Sequence, residues 1–340
     1  MAVGLPCMVV VAALVAAPRA MSAQDSRTAA PDTSPPRRPG HFHIGLTIHD
    51  YGLSFGNAPR VNGIRVNVQD VDLERVNGIN VTLWKPRDPM SGTVNGIQAG
   101  IAPGAEDVNG IAVGLAGVVT ERRARWVTVG GLGAVANGSI EGIAIGGLGT
   151  VANRDIRGIA VAGLGTVANR SISGIAIGGL GTVANRDMGG LAVAGLGTVA
   201  NRNITGVGVA GLGLVANGAL RGIGIGGLGT VANGSITGAG VGGLAVVTDG
   251  RLTGLGLGGL AVVANEEIRG LAIAGYSVDS HAVAGLAISA YNRVRGPQHG
   301  LAIGLYNSAY ELHGIQIGVI NRAKNNKGPF KILPVVNVHL

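Results

Sequence analysis

Three observations predict an all-β protein wound as a parallel β-solenoid of about seventeen coils of 14–18 residues. A sixteen-residue motif recurs without insertion, 62 of 340 residues are Gly, and aromatic and charged side chains contribute only 3% and 13%. Self-similarity at a short fixed period marks architectures in which each unit buries its apolar surface only by stacking on its neighbours. Apolar residues make up 46% of the chain, too many for a disordered Gly-rich polymer, and Gly does not recur at every third position as in collagen.

Residues 1–23 carry an apolar stretch from Met8 to Ala17 followed by small residues, the pattern of a secretory signal cleaved after Ala23, with no Lys or Arg ahead of that stretch. The single cysteine, Cys7, falls inside this segment, so a mature chain would have no disulfide and no thiol nucleophile. Losing Arg19 with it takes the formal net charge from +8 to +7, a weak preference for acidic partners. Residues 24–40, rich in Pro, Ser and charge, read as an extended linker. Residues 41–109 then form irregular coils and a cap, 110–284 the regular solenoid, and 285–340 shortened coils and a C-terminal cap.

With Gly142 as position 1, the frame runs unbroken through Gly158, Gly174, Gly190, Gly206, Gly222, Gly238, Gly254 and Gly270, and back through Trp126 to Gly110. The VNGI stretches at Gly63, Gly78, Gly96 and Gly110 begin the earlier units; Gly285, Gly300 and Gly314 begin the shortened ones. Positions 2 and 4 (Ile, Val, Leu), position 10 (Val in nine copies) and position 15 (Ile, Leu, Met) are expected to point inward. The Leu of position 7, continued as Tyr276, Tyr291 and Tyr306, is expected to stack in the core. Corners with left-handed backbone are expected at the Gly of position 6 and the Asn of position 12, the latter forming a ladder of side chains.

An antiparallel meander or β-barrel is the alternative, since Asn-Gly is a strong hairpin signal. Later units, however, place Arg157, Thr205, Thr237 or Thr253 before the Gly, and β-branched Thr suits a positive φ badly. A lipid-spanning barrel would also show an apolar exterior alternating with a polar lumen between aromatic girdles. Residues 222–248 lack charge and are long enough to span a bilayer as a helix, but their ten Gly at about 1 kcal/mol each relative to Ala disfavour one.

The units GIAIGGLGTVAN and the final GIQIGVINRAKNNKGPFKILPVVNVHL resemble the bacterial surface repeat-containing proteins, built of tandem GLQIGLVN-type units and ending in a strand with Pro and Asn. The likeness covers residues 60–340; central units carry Ala or Gly where that family often has Gln or an aromatic. It implies export and an envelope or surface location, and brings no chemistry with it.

Constellations that carry chemistry are few. GxGxxG occurs at Gly222, Gly224, Gly227 and at Gly254, Gly256, Gly259, but no βαβ pattern surrounds it, so no nucleotide and no cofactor are expected. Asp70, Asp72 and Glu74 alternate as on a solvated strand face, with a cation patch as the rival reading. His41, His43 and His49, and the pair His299 and His313, lack a clear third metal ligand. The Thr of position 9 would form an exposed rank if the protein bound ice, and a polysaccharide-cleaving solenoid would need a carboxylate cluster that the frame does not assemble.

The feature singled out is Arg154, Arg170, Arg186 and Arg202, all at position 13 and thus expected as a basic ladder on successive coils. Its expected partners are acidic envelope glycans or glycolipids, with no role in nucleic-acid binding; the frame leaves membrane association open. The function this predicts is that of an exported, non-enzymatic structural or interaction surface of the cell envelope.

Overall fold

The computed structural model describes residues 42–339; the predicted signal, the linker, Cys7 and His41 lie outside them. The fold is a parallel β-solenoid, 74% strand, of about fifteen turns with coils of about sixteen residues. Like residues stack in register, Gly142 on Gly158 and Ile143 on Ile159, then Gly158 on Gly174 and Ile159 on Ile175. Neighbouring coils run parallel, which excludes the antiparallel meander, and the sheet does not close into a barrel. Antiparallel pairing occurs only at the ends. His43–Ile48 pairs with Tyr51–Gly56, and Ile332–His339 lies against Gly314–Arg322, which is why there are fewer full turns than repeat units.

Each regular coil has a seven-residue strand such as Ile156–Ala162 and a four-residue strand such as Gly165–Ala168. The long strand bends at position 1, where Gly142, Gly158 and Gly174 adopt φ +121°. Trp126, at φ 79°, is the exception in this rank, and its indole is exposed. The corner expected from a left-handed Gly at position 6 arises differently. Gly147 and Gly179 lack a left-handed φ, but a Cβ on either would stand 1.8 Å from a carbonyl oxygen of the preceding coil, so close backbone approach demands Gly there. The Asn residues of position 12 do not adopt positive φ either; their side chains do the work instead.

The core corrects the expected facing of the ranks. Positions 3, 5, 9, 11 and 15 point inward: Ala160, Ala162, Thr166, Ala168 and Ile172 are all buried. The larger residues of positions 2 and 4, and the Leu of position 7, point outward, as Ile143, Ile145 and Leu148 do, while the Val of position 10 is half-buried. The reason is the thinness of the coil. A Cβ on Gly146 would lie 2.0 Å from the carbonyl oxygen of Gly149, so the two strands of one coil run so close near position 6 that position 5 is Gly or Ala in every regular coil. The buried Thr of position 9 reach the next coil: Thr150, Thr166, Thr182 and Thr198 donate to the position-4 carbonyls of Val161, Ile177, Val193 and Val209 at 3.0, 3.0, 3.1 and 3.0 Å. The hydroxyls of this rank thus find partners, as burial requires. Where the coils shorten, the same inner rank becomes an amide ladder, Asn292 donating to Asn307 and Asn307 to Asn321, both at 2.7 Å.

Candidate functional site

Positions 12–16 turn the chain from the short strand back to the long one, and the structure stacks these turns along one edge. At position 12 the amides form the expected ladder: Asn169 donates to Asn153 at 2.9 Å, Asn185 to Asn169 and Asn201 to Asn185 at 3.1 Å, and Asn217 to Asn201 at 3.1 Å. At position 14 the side chain accepts from the next coil. Asp155 takes the amide N–H of Ser171 at 3.2 Å, and Asp187 takes the Asn203 side chain at 2.9 Å.

Between these two ladders lie Arg154, Arg170, Arg186 and Arg202, all exposed. Their backbones are directly linked, Arg170 N–H donating to Arg154 at 3.0 Å, Arg186 to Arg170 at 2.9 Å and Arg202 to Arg186 at 3.0 Å. Among the described residues no ion pair includes any of the four. Most other Arg residues of this edge, though not Arg221, are paired: Arg157 lies 3.7 Å from Glu141 and 3.6 Å from Asp155, and Glu267 receives both Arg251 and Arg269 at 2.8 Å. The hydrogen bond from Arg269, with the charge of Arg251 beside it, holds the Glu267 carboxyl below its ordinary value. The backbones of the four ladder residues repeat at about 4.8 Å, the spacing of hydrogen-bonded strands, and each carries a planar guanidinium capable of bidentate donation.

The other sequence candidates come apart. Asp70 is buried and pairs with buried Arg65 beside Asn67 and Asn80, while Glu74 is exposed on Arg60 at 2.5 Å, so Asp70, Asp72 and Glu74 do not share a solvated face. His299 and His313 stack at 4.9 Å with His339 edge-on to His313, and no group of three metal-ligating side chains occurs among the described residues. The Thr rank of position 9 is internal and presents no surface to ice. The tyrosines are outside the core: Tyr276 is 65% exposed, and the stacked pair is Tyr291 with Tyr306, ring centroids 4.9 Å apart.

One property of the coil was missed in reading the ranks singly. From Gly110 to Arg269 the chain carries eleven Arg and seven Asp or Glu, and all eighteen fall in positions 12–16. The repeat frame alone carries that signal. Comparison with protein families, with curated proteins and with solved structures finds no match to this chain.

Proposed function

We propose that this protein is an exported, non-enzymatic repeat protein of the bacterial cell envelope, and that its Arg edge holds acidic polymers. The observation that carries the reading is the in-register row Arg154, Arg170, Arg186 and Arg202 with no acidic partner beside it, on an edge whose other Arg residues are mostly neutralised. At about 5 Å in water neighbouring guanidiniums repel by roughly 0.8 kcal/mol, and a polyanion with closely spaced phosphates or carboxylates relieves that repulsion along the whole row. Most carboxylates of this edge accept from Arg, from Asn side chains or from backbone amides, which suits a scaffold better than paired acid and base catalysis. The signal-like segment and the resemblance to surface repeat proteins support export.

The test measures binding of polygalacturonate and of inorganic polyphosphate to the full chain and to a variant with all four Arg changed to Ser, across a salt series. The reading expects binding that weakens with salt and is lost in the variant. Equal binding by both proteins, or none by either, removes it.

A further inference from the structure

The confinement of charge to positions 12–16 leaves the remaining arc of each coil, positions 1–11, with an unusual exterior. From Gly110 to Ala264 the polar residues in that arc are all Thr, and every one is buried in the core. What faces outward is mainly Ile, Val or Leu at positions 2 and 4, Leu at position 7 and Val at position 10, with Gly or Ala between them except for exposed Leu115 and Trp126 in the first two coils. The position-7 leucines form a ridge between the two faces, with Leu148 at 50%, Leu180 at 47% and Leu228 at 51% exposure. The apolar exterior therefore wraps over one face, around the ridge and onto the other, and at about 4.8 Å per coil it runs for roughly 48 Å over ten coils.

We propose that this arc inserts into a lipid bilayer surface, with the solenoid axis parallel to the membrane, the Leu ridge down among the acyl chains and the Asn and Arg edge facing water. The inference goes beyond the polyanion reading and rests on different residues. Two features select lipid over a second copy of the chain. Protein interfaces carry about one hydrogen bond per 100–200 Å² and a polar rim, whereas the one outward polar group among the side chains of this arc is the indole N–H of Trp126. A second solenoid could also cover only one flat face, leaving the ridge and the opposite face in water, while a lipid phase covers all three together. The ridge and its flanks, three residues to either side, span about 10 Å at the rise of a β-strand, matching the depth of about 5–10 Å to which interfacial apolar faces bury. The charged edge fixes the orientation. An axis along the bilayer normal would carry Arg154 to Arg202 through hydrocarbon, which is strongly unfavourable.

The test is flotation of the full chain with vesicles of phosphatidylcholine alone and with added phosphatidylglycerol. The comparison variant changes Leu148, Leu164, Leu180 and Leu196, all outward positions, to Asn, with far-ultraviolet circular dichroism and thermal melting checking that it keeps the wild-type fold. The expected result is flotation with neutral vesicles that resists salt and falls by at least about tenfold in the variant, as binding scales with apolar area buried. In a background with Trp84 and Trp126 changed to Phe, both being exposed in the wild type, brominated acyl chains should quench a Trp introduced as Leu180→Trp and spare one introduced as Arg186→Trp. Failure to float, or equal flotation of the variant, overturns the proposal. Flotation only with phosphatidylglycerol and lost in salt also overturns it, and credits the Arg edge instead. A soluble oligomer that dissociates on the Leu to Asn changes would assign the arc to a second copy and likewise end the lipid assignment.

Discussion

A methyl group added to Gly208 would stand 2.4 Å from Cδ1 of Leu214, and that near-collision shows how this core is balanced. Leu214 occupies position 9, where other coils carry Thr, and it is fully buried. The space it needs comes from Gly208 and Gly224, which stand at position 3 where Ala160, Ala176 and Ala192 are found elsewhere. Gly240 beside Val246 and Gly256 beside Val262 repeat the exchange. Volume is thus traded between facing ranks, coil by coil, within a thin and close-packed interior.

This balance predicts non-additive mutations. Leu214→Ala should cost about 2–5 kcal/mol through the cavity it leaves, and Gly208→Ala about 1–3 kcal/mol through overpacking. The double variant should be less destabilised than the sum, since each change makes room for or fills the other. Chemical denaturation of the three proteins measures the coupling; strict additivity would show that the two sites do not share one volume.

Two glycines of the same coil type should behave oppositely. A Cβ on Gly213 meets nothing within 4 Å, and its φ is not left-handed. Gly213→Ala should therefore be neutral or stabilise by about 0.4–1 kcal/mol through the unfolded chain. Gly179→Ala drives a methyl to 1.8 Å from the Gly163 carbonyl and should lower the melting temperature sharply. Similar melting temperatures for the two variants would contradict the close approach at position 6.

The Asn ladder should contribute locally and modestly. Asn185 donates to Asn169 and accepts from Asn201, both at 3.1 Å and both at an exposed edge. Removing both bonds in Asn185→Ala should cost about 1 kcal/mol, near the net value of one ordinary hydrogen bond because water replaces the lost partners. Hydrogen exchange should quicken first in the turns of the adjacent coils, a response that distinguishes a ladder from an isolated surface amide.

Asp107 makes stability depend on pH. Burial pushes its carboxyl up, but hydrogen bonds and charge from Arg122 and Arg123 outweigh this and hold it below the usual 3.8. A group depressed in the folded state stabilises above its unfolded value and loses that contribution as pH falls through the folded one. The wild type should therefore lose stability on acidification below about pH 4, the ordinary carboxylate range. Asp107→Asn should be less stable at neutral pH and lose less on acidification. Parallel melting curves against pH for the two proteins would remove Asp107 from the linkage.

The sequence by itself determined the period, the register and the direction of stacking. Uninterrupted Gly at position 1, Asn at position 12 and Arg at position 13 specify which residues meet on neighbouring coils, and the structure stacks them as the frame requires. It also held the polar edge, because charge falls in positions 12–16 alone over ten coils. What it did not determine was facing. Alternation along a strand offers two assignments one residue apart, and they exchange every side chain between core and exterior. The usual preference for burying Ile, Val and Leu selects position 15 as the structure does, but also positions 2, 4, 7 and 10, whereas the folded coil buries positions 3, 5, 9 and 11, mostly Ala, Gly and Thr. Only the tertiary structure decides this, because the narrow bend at position 6 brings Gly146 and Gly149 so close that position 5 admits nothing larger than Ala. The residues that look most like a core are left on the outside, where they form the apolar arc opposite the Arg ladder.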